Sequence, residues 1–246
     1  MSIKIYQDEI THQNFRSITN VKYKDDSVFC HGYDTISVTR GIVMSSYTKI
    51  ISDRIKNFDS QKVFFANDFL DIASNATVRQ ILKRLADENK IQRVIDGLYY
   101  NPTYSELIGE YEAVSIHEVA LAIARKYNWN IAPYNNTALN LLGLSTQVPT
   151  HYKYISSGRY KEYKIGDTNL EFKRINPGKI ANMSIKTATV IQAIKSIGKE
   201  GINEQDIQKI RENLTNKEKA DLMNESKSAP AWIYEILREI SKVENE

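Results

Sequence analysis

The strongest constraint on this chain is local. Between Ser74 and Tyr100 a helical apolar period gives way directly to a hairpin signature. Val78, Ile81, Leu82 and Leu85 recur at the spacing of an amphipathic helix, with Ser74 or Asn75 as its cap and Asn89-Lys90 as its end. Ile91 to Ile95 predicts a strand, Asp96-Gly97 a tight turn, and Leu98-Tyr99-Tyr100 the returning strand. Upstream, Tyr47, Ile50, Ile51 and Ile55 share one helical face, which predicts a helix from Ser45 to about Asn57. Val63-Phe64-Phe65 is a short apolar run. Asn67 or a neighbour caps a short second helix through about Ile72, and Ala73-Ser74-Asn75 is a turn.

Three helices and a hairpin within fewer than ~65 residues make the pattern of a winged helix-turn-helix, whose third helix suits a major groove about 12 Å wide. With the apolar residues of that helix turned inward, Thr77, Arg79, Gln80, Lys83 and Arg84 remain outside, and no acid precedes Asp87. Arginine can take guanine, and glutamine adenine, through paired hydrogen bonds. Lys90 and Arg93 place positive charge at the base of the hairpin, where phosphates would run. The expected partner is double-stranded operator DNA. A solvated helix face is the bland alternative, and winged helices also serve as protein-binding modules.

Beyond Pro102 the pattern changes. Helices are predicted from Ser115 to about Tyr127 and from Pro133 to Leu142, the latter ended by Gly143. Three strands follow at Tyr152–Ile155, Tyr160–Ile165 and Leu170–Phe172, and then helices near 184–197, 203–213, 215–224 and 230–242. Pro177-Gly178 divides the sheet region from this helical tail. The expected organisation is α+β. Residues 1–41 form an arm or edge-strand extension, with strand-like stretches at Val21-Lys22-Tyr23 and Ser27-Val28-Phe29. Residues 42–104 form the winged helix, and residues 105–246 an α+β domain with a small antiparallel sheet and a C-terminal helical tail. A second basic surface is expected from Lys153, Arg159, Lys161, Lys164, Lys173, Arg174 and Lys179. Strand alternation puts only half of the strand residues on any one face.

Composition excludes more than it selects. The chain has 246 residues, 41% hydrophobic and 26% charged, so it can bury a real core. A net charge of +3 is too small to mark a nucleic-acid protein, so the positions of the cations must carry that argument. Cys30 is the only cysteine, which rules out an internal disulfide or a cysteine-based zinc site and fits a reducing cytoplasm. No apolar run approaches ~18 residues, and the N-terminus shows no export signal, so a cytoplasmic protein without a membrane partner is expected. Asp68 and Asp71 fit helix capping better than a metal site, and His117-Glu118 lacks the second histidine of a zinc helix. Gly198-Lys199-Glu200-Gly201 is not a phosphate loop. No catalytic residue, metal or cofactor is expected.

Several stretches resemble a known family. Phe64-Phe65-Ala66-Asn67-Asp68-Phe69, the helix Val78 to Leu85, Ile91-Gln92-Arg93 and Asp96 to Pro102 look like the winged helix of AbiEi-type antitoxins. Ala138-Leu139-Asn140-Leu141-Leu142-Gly143-Leu144-Ser145-Thr146-Gln147-Val148-Pro149 is similar to the start of the second domain in one branch of that group, and is the more specific match. The likeness runs from about Phe64 to Trp232. It implies a bacterial antitoxin that represses its own operon through the winged helix and counteracts a nucleotidyltransferase-like toxin through the second domain, in phage defence by abortive infection. The alternatives are a stand-alone winged-helix regulator and, from another class, a nucleic-acid-processing enzyme.

Overall fold

The computed structural model describes residues 34–242 except 60, 108, 177, 179 and 181, with residues 34–44 described by backbone alone. By its contacts the chain divides into Met1–Met44 and Ser45–Glu246, and every described side chain belongs to the second unit. The strand stretches expected at residues 21–23 and 27–29 lie outside the described residues, as do Cys30, Pro177 and Lys179.

The architecture is mixed α and β. Helix α1 (Asp34–Lys56) leads to strand β1 (Val63–Phe64), a single 3-10 turn (Ala66–Phe69), helix α2 (Asn75–Asp87) and the hairpin β2 (Gln92–Ile95) and β3 (Leu98–Tyr100). Two departures from expectation fall here. α1 begins at Asp34 instead of Ser45, inside the expected arm, although its first residues are rich in β-branched types and include Gly41, which predict little helix. The expected second helix is only the 3-10 turn, held by the Asp68 carboxylate accepting from the Phe65 N–H at 3.0 Å.

α2 follows its sequence closely. The Ser74 hydroxyl accepts from the Thr77 N–H at 3.3 Å, which satisfies one of the orphan donors of the first turn. Val78, Ile81, Leu82 and Leu85 are buried, and Asn89 ends the helix in the left-handed region at φ 56°. β3 then pairs with both β2 and β1, giving a three-stranded antiparallel sheet of order β1-β3-β2.

After a short ribbon, β4 (Tyr104–Ser105) and β5 (Glu110–Tyr111), comes helix α3 (Ile116–Tyr127). Its buried residues Val119, Ala120, Ala122, Ile123 and Ala124 spread over roughly 200° of the helix, at about 100° per residue. That is wider than the single apolar stripe of a surface helix. The breadth is used: these residues share one core with Val63, Phe65, Leu98 and Tyr100 before them and with Tyr154, Leu170 and Phe172 after them. The apolar core therefore runs continuously past residue 104. Arg125 adds a polar tie, donating to the Val63 carbonyl at 2.7 Å with Asp68 3.8 Å away.

The helix expected from Pro133 to Leu142 is shorter, α4 (Asn136–Leu141), and a strand that was not expected, β6 (Ile131–Pro133), precedes it. Three residues in a row are buried in β6, so no period-2 signal marks it. β7 (His151–Ser156), β8 (Lys161–Ile165) and β9 (Thr168–Arg174) complete a sheet of order β6-β7-β9-β8. The sheet is mixed and not antiparallel as expected: β9 inserts between β7 and β8 and runs parallel to β7, with β8 as the outer edge. Each strand is short and amphipathic whichever neighbour it takes, so its pattern does not distinguish a meander from this order. The last helices, α5 (Ile185–Ile197), α6 (Glu204–Glu212), α7 (Asn216–Glu225) and α8 (Ala231–Ile240), lie within a few residues of their expected spans. They form a second apolar core with α4, and α6 and α7 open on reciprocal capping boxes, Asn203 with Asp206 and Thr215 with Glu218.

A part-buried polar pair links α3 to β7: His117 Nδ1 and the Tyr154 hydroxyl lie 2.8 Å apart. Burial pushes the Tyr154 hydroxyl pKa up. Burial, with the Lys186 ammonium adding to it, holds the His117 imidazole below its ordinary value of 6.5. The folded protein thus resists a proton that the unfolded chain accepts. This stabilising contribution is full above about pH 6.5 and is lost as the pH falls below it. Thermal midpoints of wild type are expected to drop between about pH 7 and about pH 5, and His117→Gln is expected to flatten that drop. An unchanged slope in the variant would place the proton uptake elsewhere.

Candidate nucleic-acid interface

α2 presents Arg79, Gln80, Lys83 and Arg84 to solvent, as its period predicts. Their surroundings differ. Arg79, Gln80 and Lys83 make no side-chain hydrogen bond or ion pair among the described residues. The Arg84 guanidinium turns back onto α1, donating to the Thr48 hydroxyl at 2.5 Å, with Glu88 3.9 Å away. Thr77 is half-buried and its hydroxyl is 3.0 Å from that of Ser74, so it belongs to the helix cap. Lys90 pairs with Glu88 at 2.8 Å, which holds the Glu88 carboxyl below its usual range. Arg93 reaches Asp96 at 3.3 Å and lies over the Tyr99 ring. These pairs are exposed and of the kind that exchange readily for a ligand.

Between α2 and the β2–β3 hairpin is an open cleft of about 740 Å³. Arg79 and Lys83 form one wall, and Arg93, Asp96 and Gly97 the other. Gly97 adopts φ +74°, a backbone state that a side chain there would strain. Lys126 and Tyr127, at the end of α3, also line it, and the Lys126 ammonium donates to the Asp96 carbonyl at 3.2 Å. Four cations from three elements thus surround a cleft whose lining contains one acid, Asp96. Lys126 was not expected from the sequence. A basic residue in the last turn of a helix is ordinarily explained by the helix dipole, and nothing local places it beside the hairpin.

The second basic cluster is not one surface. Strand register sets Lys153, Lys164 and Lys173 on the face of the sheet that also carries Glu162 and Glu171. There Lys153 pairs with Glu171 at 3.4 Å, and His151 lies 3.1 Å from the same carboxylate. Lys161 and Arg174 belong to the opposite face, and Arg159 lies on the connection between β7 and β8. Lys161 instead approaches α3, its ammonium 3.5 Å from the Tyr127 hydroxyl.

Asp68 and Asp71 face different partners. Asp71 takes both Arg54 guanidinium nitrogens at 2.8 and 2.7 Å, which lowers its carboxyl pKa, while Asp68 is used in the 3-10 turn. Among the described residues no three His, Cys, Asp or Glu side chains gather as a metal site would require, and no helix is long and apolar enough to cross a membrane.

The fold is thus of mixed α+β class, with a strongly cationic cleft on a helix-and-hairpin module. The chain belongs to the DUF6088 family, described as a family of unknown function, whose profile matches residues 50–222. That match takes in the end of α1, α2 with its hairpin, all three sheets and most of the helical tail. No curated protein matches the chain.

Proposed function

We propose that this protein binds operator DNA through a winged helix-turn-helix spanning residues 42–104. α2 is the recognition helix, the β2–β3 hairpin the wing, and the protein is an autorepressor and antitoxin of AbiEi type. The observation that carries the reading is the convergence of Arg79 and Lys83 from α2 and Arg93 from the hairpin on one open cleft. A duplex with a helix in its major groove and a hairpin beside it runs one phosphate strand between the two, and that strand needs cations on both walls. The order helix, strand, turn, helix, hairpin, with β3 returning to pair with β1, suits that module. The antitoxin half rests on the likeness of Ala138 to Pro149 to the second domain of AbiEi-type proteins.

The test uses the full chain, because the core shared by α3 and the first sheet makes residues 105–246 a poor candidate for independent folding. Cells co-express the nucleotidyltransferase-like product of a neighbouring reading frame with wild type or with an Arg79→Ala, Gln80→Ala, Lys83→Ala variant. Survival with both proteins, and loss of binding to the upstream duplex only in the variant, is the expected result. Survival with neither would favour a stand-alone regulator. Wild type that binds no upstream duplex would overturn the DNA-binding reading.

A further inference from the structure

We propose that the nucleic-acid surface continues past the hairpin onto the end of α3 and the edge strand β8, where Lys126 and Lys161 contact backbone phosphates on either side of Tyr127. The inference rests on the DNA-binding reading of α2 and extends its footprint into the second sheet.

Three observations lead there. First, Lys126 and Tyr127 line the same cleft as Arg79, Lys83 and Arg93, so a strand lying in the cleft comes within reach of them. Second, the two ammonium groups converge on one ring: Lys161 is 5.1 Å from the Tyr127 ring centroid and Lys126 5.8 Å. Neither has a carboxylate partner among the described residues. Their neighbours are the Asp96 carbonyl, the Tyr127 hydroxyl and tyrosine faces, so their charge is solvated but not neutralised. Two un-neutralised cations beside one ring present an attractive potential to a polyanion. Third, the platform is backed. Tyr127 is 38% exposed and stacks on Trp129 at 5.0 Å, which in turn meets the Phe172 ring edge-on at 5.7 Å.

Lysine is a compact charge with rotatable donors, well suited to phosphate oxygens. The contribution is therefore to affinity and its salt dependence, independent of sequence.

The experiment measures binding of the full chain to an upstream duplex and to a random duplex of equal length, between about 50 and about 200 mM salt. Compared are wild type, Lys126→Gln, Lys161→Gln, the double variant and Arg79→Ala with Lys83→Ala. The double variant is expected to lose affinity by a similar factor on both duplexes, and its slope of log affinity against log salt is expected to be shallower by about two. The Lys161 ammonium is placed against Tyr127 and Tyr163 and, unlike that of Lys126, donates no hydrogen bond to the hairpin, so a slope loss of about one in Lys161→Gln supports the inference even if Lys126→Gln disturbs the wing. A double variant with the wild-type slope, while the α2 variant is weakened, would overturn this inference alone. A loss confined to the upstream duplex would overturn the phosphate role. Binding of neither duplex by wild type would sink the reading of α2 and this extension with it.

Discussion

Arg79→Ala, Gln80→Ala and Lys83→Ala together are expected to bring binding of the upstream duplex down to the level of a random one. Each paired base contact is worth about 1–3 kcal/mol, so losing those of Arg79 and Gln80 together amounts to about thirtyfold or more, with the Lys83 charge lost besides. The single variants divide the effect. Arg79 has no partner to leave among the described residues and reaches the cleft, so Arg79→Ala is expected to cost about tenfold or more if it reads a base. Arg84 is already engaged by Thr48 and Glu88, and any contact to DNA must first replace those bonds. Arg84→Ala is therefore expected to cost less, although the sequence ranks the two arginines equally. Fluorescence anisotropy with both duplexes checks this. Equal losses for Arg79→Ala and Arg84→Ala would mean that the DNA-facing side of α2 is rotated toward α1.

The largest effect on stability is expected at Gly158. Its backbone runs directly against Trp129: an added Cβ would lie 2.1 Å from Cε2, 2.3 Å from Cδ2 and 2.4 Å from Nε1 of the indole. The ring has little room to retreat, since Tyr127 stacks on it and Phe172, fully buried, meets it edge-on. Gly158→Ala thus forces a packed aromatic group to move, a change that typically costs about 1–3 kcal/mol, with Gly158→Val costing more. For a unit of this size that is a fall of several degrees in the thermal midpoint, at about 2–4 °C per kcal/mol. The cause is checked by a double-mutant cycle. In a Trp129→Ala background the alanine at 158 has space, and its cost is expected to nearly vanish. A cost that persists without the indole would show that something other than this contact requires glycine. The same shift would tilt Tyr127, so Gly158→Ala also links core packing to the cationic surface beside it.

Much of the first module was legible because it is written locally. In α2 the cap at Ser74, the inward residues Val78, Ile81, Leu82 and Leu85 and the stop at Asn89 are all set by residues a few positions apart. The same holds for the Asp96-Gly97 turn, the end of α3 at Asn128 and the capped helices of the tail. The outer face of α2 followed automatically, since a helix with one face buried must expose the other.

Sequence by itself determined most of the helices and strands, which of their faces are apolar, and that Arg79, Gln80 and Lys83 stand in solvent. Only the tertiary structure decided that β9 pairs parallel with β7, that residues 131–133 complete that sheet as a strand, and that Arg84 is held by α1. It alone divided the second basic cluster between two faces and brought Lys126 to the hairpin and Lys161 to Tyr127. The physical reason is the range of the interactions. Periodicity and capping act over a few residues, whereas strand order and the neighbours of a helix end depend on which apolar faces bury one another. Here α3 shares one core with residues of the first and the four-stranded sheets, and so carries its C-terminal lysine and tyrosine to the hairpin on one side and β8 on the other.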